Sequence, residues 1–163
     1  MGGQVLLCSA LMLLTSNTSS LANTSNGAAA VLLAWRSKAE ELGLPILGVL
    51  RSYAVVGVSP DVMGIGPAYA IPVALEKAGL TVNDMDIFEI NEAIVSQGAV
   101  YCVEKLGIPP EKVNPLGGAV ALGRTGARQV ITCEAAPHGV LWMVSMCIGT
   151  GMGATAVFEY PGN

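Results

Sequence analysis

Charge is scarce in this sequence. Only 12% of its 163 residues are charged, and eight Lys and Arg face twelve Asp and Glu, for a formal net charge of −4. No basic run or aromatic-basic patch occurs, so nothing favours binding to nucleic acid. Histidine is nearly absent: His138 stands alone, which argues against a histidine-based metal site. The four cysteines, Cys8, Cys102, Cys133 and Cys147, lack metal-ligand spacing. They read as free thiols of a reducing compartment. No long apolar run occurs either. The N-terminal stretch Val5 to Leu14 is too short to span a bilayer, so no membrane span is expected.

What the chain does have is apolar content, 52% of all residues. That implies a large buried surface or a surface meant for a partner. The N-terminal run could form a signal-peptide core, but the usual positive flank is missing. Asn17-Thr18-Ser19 and Asn23-Thr24-Ser25 fit the glycosylation pattern. They also suit a plain polar loop, so a secreted glycoprotein is the weaker reading. Residues 1–25 are taken as an apolar and then polar lead-in.

From residue 26 onward, strands and helices alternate, which predicts an α/β layered fold. Ala28 to Trp35 reads as a buried strand. Ser37 and Glu40 form a capping box for a short helix, ended by Gly43 and Pro45. Ile46 to Val58 is a long strand, and Pro60 to Gly66 a loop. Pro67 opens a helix to Lys77, closed by Gly79, with Pro72 inside it. Asp86 to Ile90 is a strand, and a helix follows over 92–106. Gly117 to Gly123 reads as a turn and strand. Thr125 caps a helix to about Cys133, and Val140 begins a further strand.

The last of these strands carries the chemistry. Val144 to Cys147 is followed by Gly149, Gly151 and Gly153 and then by apolar residues to Phe158. This predicts two strands joined by a glycine-rich turn. A thiol at the mouth of such a turn meets bare backbone N–H groups, which suits proton transfer to a carbon acid. The plain alternative for Cys147 is a small buried hydrophobe. Asn91 lies at a strand-to-helix junction, where α/β folds gather ligands. Its plain alternative is an N-cap. Cys102 lies on an apolar helix face and reads as core.

Three stretches together resemble the thiolase family: Cys147-Ile-Gly-Thr-Gly-Met-Gly153, Asn91-Glu92-Ala93, and Asn114-Pro-Leu-Gly-Gly-Ala-Val-Ala-Leu-Gly123. The likeness covers residues 26–163 and is greatest to the peroxisomal 3-ketoacyl-CoA thiolases. It implies a mixed sheet covered by helices, one half of a two-half architecture. It also implies thiolysis of 3-ketoacyl-CoA to acetyl-CoA and a shortened acyl-CoA in fatty acid β-oxidation. Coenzyme A and acyl-CoA enter as substrates, with no tightly bound cofactor. Implied partners are a thiolase N-terminal half or a second copy of the chain. The implied address is the peroxisome, although no targeting signal is seen in the chain, which would leave it cytoplasmic if expressed alone.

By this resemblance Cys147 exchanges a proton with the α-carbon of acetyl-CoA. Gly149 contributes a backbone N–H near the thioester oxygen. Asn91 orients a water that polarises the thioester carbonyl. The family usually has phenylalanine where Ile94 stands, and aspartate where Asn26 stands. The main departure follows Gly123, where His-Pro-Leu-Gly-Cys of the family is replaced by Arg124. The lost histidine activates the nucleophilic cysteine, and an arginine is no base at neutral pH. His138 falls in an unmatched segment. The nucleophile belongs to the N-terminal half, and Cys8 has no matching surroundings. The chain is therefore expected to be inactive in isolation. The alternative is a non-catalytic domain retained as a CoA-binding or dimerisation module.

Overall fold

The computed structural model describes residues 4–7, 13–15, 26–28, 30–92, 96–119, 129–130 and 140–160. One mixed sheet holds β1 (Gln4–Leu7), β4 (Leu32–Trp35), β5 (Gly48–Gly57), β6 (Ile87–Ile90), β7 (Leu141–Ile148) and β8 (Met152–Glu159). Their order is β4-β1-β5-β8-β7-β6. Only β6 and β7 run parallel, while the other neighbours are antiparallel. A separate antiparallel pair joins β2 (Leu13–Thr15) to β3 (Asn26–Ala28).

Helices cover one face of this sheet. Helix α2 (Gly66–Ala78) buries Pro67, Ala68, Ile71, Ala74 and Leu75, residues that recur at helical spacing. Gly79 ends it in a left-handed turn, φ 69°. Pro72 lies inside the helix without breaking it. Ser52 of β5 donates its hydroxyl to the Ala74 carbonyl at 2.7 Å, tying sheet to helix. The short helix α3 (Tyr101–Leu106) packs Cys102 into the same layer. Ala54, Phe88, Ile90, Met143 and Val157 meet these helices from the sheet.

Among the described residues, the opposite face is only partly covered. Ile87, Trp142, Val144 and Phe158 form a second cluster there, with Val130 against it. The Trp142 and Phe158 rings stack with centroids 5.5 Å apart. Beyond this cluster Tyr53 is 66% exposed and Val55 58% exposed. A shallow apolar depression of about 170 Å³ lies among Tyr53, Val55, Met146 and Ala156. Among the described residues, no helix is long and apolar enough to cross a membrane.

Several local expectations change. The strand expected over Ala28 to Trp35 is shorter and lies at the sheet edge, so Leu32, Leu33 and Trp35 are exposed rather than buried. Helix α1 (Arg36–Glu41) starts after Trp35 with no side-chain cap, and Ser37 lies inside it. Residues Pro60–Ile65 are a 3-10 helix instead of a loop. Where one helix was expected over 92–106, Ser96–Val100 is a π turn leading into α3. Ala119 is helical, not extended. Readings for Cys8, Ile94, Arg124, Thr125, Cys133 and His138 lie outside the described residues.

Candidate functional site

Asn91 follows directly on β6. All four residues of that strand are buried. The Asn91 N–H donates to the Ser145 carbonyl of β7 at 2.9 Å, adding a rung to the parallel ladder. The residue is 6% exposed. Its neighbours are held by Asn114: the Ile90 N–H donates to Asn114 Oδ1 at 2.8 Å. Asn114 Nδ2 donates in turn to the Ile90 carbonyl and to Glu92 Oε1, each at 3.0 Å. Gln129, also buried, donates from Nε2 to the Glu89 carbonyl at 2.9 Å and the Ser145 carbonyl at 3.3 Å. Neither Asn114 nor Gln129 stood out in the sequence as a polar anchor. The signal for Asn114 was its Asn-Pro-Leu-Gly turn, because asparagine tolerates the left-handed backbone it adopts, φ 48°.

Cys147 lies near the end of β7, paired with Gly153 across the β7–β8 hairpin. It is 8% exposed. Ile90 is in register with Ser145. Asn91 and Cys147 therefore stand at the same end of adjacent parallel strands, one and two residues beyond the last ladder pair. The hairpin turn is left-handed at Thr150, φ 72°, and Gly151, φ 94°.

The three hairpin glycines have different surroundings. A Cβ at Gly151 would meet the Val58 carbonyl and the Pro60 nitrogen. A Cβ at Gly153 would meet the backbone of Gly66 at the start of α2. These two glycines allow backbones to touch. At Gly149 nothing lies within 4 Å of an added Cβ. The residue is exposed, in the turn two positions after Cys147.

Cys102 sits beneath this end of the sheet and is fully buried. Burial pushes its thiol up to about 11, and the charge of Cys147 adds to the rise. The Ala68 backbone and Lys105 oppose it. Its folded value lies above the unfolded one, so the neutral thiol favours folding. That contribution is complete below about pH 9 and is lost as pH rises toward 11. Cys102 should thus resist iodoacetamide in the native chain and react within minutes after unfolding in urea. Mass mapping of the alkylated peptides checks this. Rapid native labelling at Cys102 would contradict its placement. Among the described residues, no group of three or more His, Cys, Asp or Glu could hold a metal ion.

Comparison with known proteins supplies the context. The family described as Thiolase, C-terminal domain, matches residues 44–160. The chain is 79% identical over 147 residues to mouse (Mus musculus) 3-ketoacyl-CoA thiolase B, peroxisomal, covering 85% of this chain and 34% of that one. It spans about a third of the length of the curated relatives it matches. The peroxisomal 3-ketoacyl-CoA thiolase of Saccharomyces cerevisiae superposes with a TM-score of 0.79 at 56% identity, over 84% of this chain and 41% of that one. That structure is described as five layers, α-β-α-β-α, built from two core domains of identical topology. Human mitochondrial 3-ketoacyl-CoA thiolase in complex with CoA gives a TM-score of 0.78 at 32% identity, over 85% of this chain and 37% of that one.

Proposed function

Because the chain belongs to the thiolase family through its C-terminal domain, we propose that it supplies one side of a 3-ketoacyl-CoA thiolase site, with coenzyme A and acyl-CoA as substrates. The observation that carries this is the shared strand end of Asn91 and Cys147, with Gly149 two positions after Cys147 in the exposed hairpin turn. In the forward reaction a cysteine from outside these residues adds to the 3-keto carbon. The bond between the α- and β-carbons then breaks, and its electron pair stays on the α-carbon. Cys147 donates the proton that turns this carbanion into the methyl group of acetyl-CoA. The acyl group remains as a thioester on the nucleophile until the thiol of free CoA displaces it. Asn91, through a water that it orients, and the Gly149 N–H act on the thioester oxygen, where negative charge gathers.

Thiolysis is expected only when the chain is mixed with the N-terminal two thirds of a relative. Following the loss of acetoacetyl-CoA enolate absorbance in the presence of CoA checks this. Cys147→Ser should reduce the mixture to background, and Asn91→Ala should lower its rate about 10²–10³-fold, leaving measurable turnover. Turnover by the chain alone, or turnover indifferent to Cys147→Ser, would overturn the proposal. A second reading is favoured by the replacement of the histidine-bearing loop with Arg124. On it the domain binds CoA or dimerises without catalysis. A melting temperature raised by CoA, with no turnover in the mixture, would select that reading.

The open sheet face supports a partner. Tyr53, Val55 and Met146 form an apolar surface that a second layer would cover. Light scattering of the chain alone should show concentration-dependent association. Tyr53→Ser with Val55→Ser should reduce it. A monodisperse monomer at high concentration would count against a partner face. A peroxisomal address is proposed from the naming of the relatives.

A further inference from the structure

Among the described strands β6 ends the sheet, so one of its edges pairs with β7 and the other takes different partners. Val113 forms a single parallel bridge to Phe88 on that outer edge. The Asn114 N–H then donates to the Phe88 carbonyl at 2.9 Å. There the backbone turns away, left-handed at Asn114. The side chain continues the pairing. Its Oδ1 accepts from the Ile90 N–H at 2.8 Å, and its Nδ2 donates to the Ile90 carbonyl at 3.0 Å. A carboxamide offers the same donor and acceptor as a peptide group, so it acts as one more rung of ladder. The same Nδ2 reaches Glu92 Oε1 at 3.0 Å.

Asn91 is thereby bracketed. The residues before and after it are bonded to one amide. Its own N–H is fixed on Ser145 at 2.9 Å. Gly98 abuts its carbonyl so closely that an added Cβ would stand 2.9 Å away. We infer that Asn114 is a positioning residue, which acts through Ile90 and Glu92 to hold Asn91 beside the Cys147 strand end. This rests on Asn91 being a residue of the thiolase site. Small displacements of a catalytic group carry large rate costs, so the clamp matters to chemistry as well as to stability.

Two readouts test it. The first is amide hydrogen exchange by NMR on the 163-residue chain. Asn114→Ala should speed exchange at Ile90 and Asn91 by about tenfold or more, while Trp142 and Val157 in the sheet keep their protection. Asn114→Asp keeps the Oδ1 acceptor and tolerates the left-handed backbone, but sets an anion against Glu92. It should also speed exchange, and adding Glu92→Gln should recover part of the loss. The second readout is thiolysis in the mixture with the N-terminal two thirds of a relative. There Asn114→Ala should lower kcat about tenfold at constant KM for CoA, without multiplying the loss from Asn91→Ala. Unchanged exchange at Asn91, or losses that multiply, would overturn the assignment. A wild-type mixture with no turnover would remove the functional reading, while the exchange result still decides whether Asn114 positions Asn91.

Discussion

Gly153→Ala should remove a large part of the chain's stability. A Cβ at this position would enter the backbone of Gly66, and a Cβ at Gly66 would stand 2.7 Å from the Gly153 Cα. Both partners are main chain, held in β8 and at the start of α2, so no flexible side chain can give way. Overpacking in cores typically costs about 1–3 kcal/mol. With only backbone to move, about 4 kcal/mol or more is expected, against a total of roughly 5–15 kcal/mol for a domain. Urea unfolding followed by circular dichroism measures this. Gly149→Ala is the control, since nothing lies within 4 Å of its added Cβ. It should shift the unfolding midpoint little. A Gly153→Ala protein as stable as Gly149→Ala would refute the packing argument.

The second large effect concerns the segment after Gly123. Substituting His-Pro-Leu-Gly-Cys for Arg124 should raise thiolysis by the chain mixed with the N-terminal two thirds of a relative. General acid–base catalysis is worth about 10²–10⁴-fold, and that range is the gain expected from the restored imidazole. The four residues regained span at most about 14 Å of extended chain, enough for a loop to reach across a cleft. The repaired chain without the N-terminal portion should still show no turnover. Equal rates for repaired and unrepaired mixtures would show that the histidine is dispensable.

The glycine-rich hairpin was legible in the sequence because its signals are local. Apolar runs flank Gly149, Gly151 and Gly153, and the turn follows from them. The helix opened at Pro67 and closed at Gly79 was legible for the same reason. Burial of the strand at Leu32–Trp35 was not, because an edge strand and a central strand can share one composition. The roles of the three glycines could not be told apart either. Gly153 meets Gly66, and Gly151 meets Val58 and Pro60, through contacts that distant chain segments create. The same holds for Asn114, whose partners Ile90 and Glu92 lie more than twenty positions earlier in the chain.

Strand β8 lies in the middle of the sheet although it is the last described strand of the chain. Val49 of β5 pairs with Glu159 of β8, and among the described strands β8 joins β5 to the β6–β7 pair. During synthesis the ribosome therefore releases β5, α2 and β6 long before the strand that unites them. Their apolar faces must wait unpaired, because loop closure over such separations is paid for before any long-range contact forms. A chain that stalls or is clipped before Met152 loses the centre of its sheet, not an edge. The sheet of this topology therefore closes only once β8 is available, and until then its exposed apolar surface favours association.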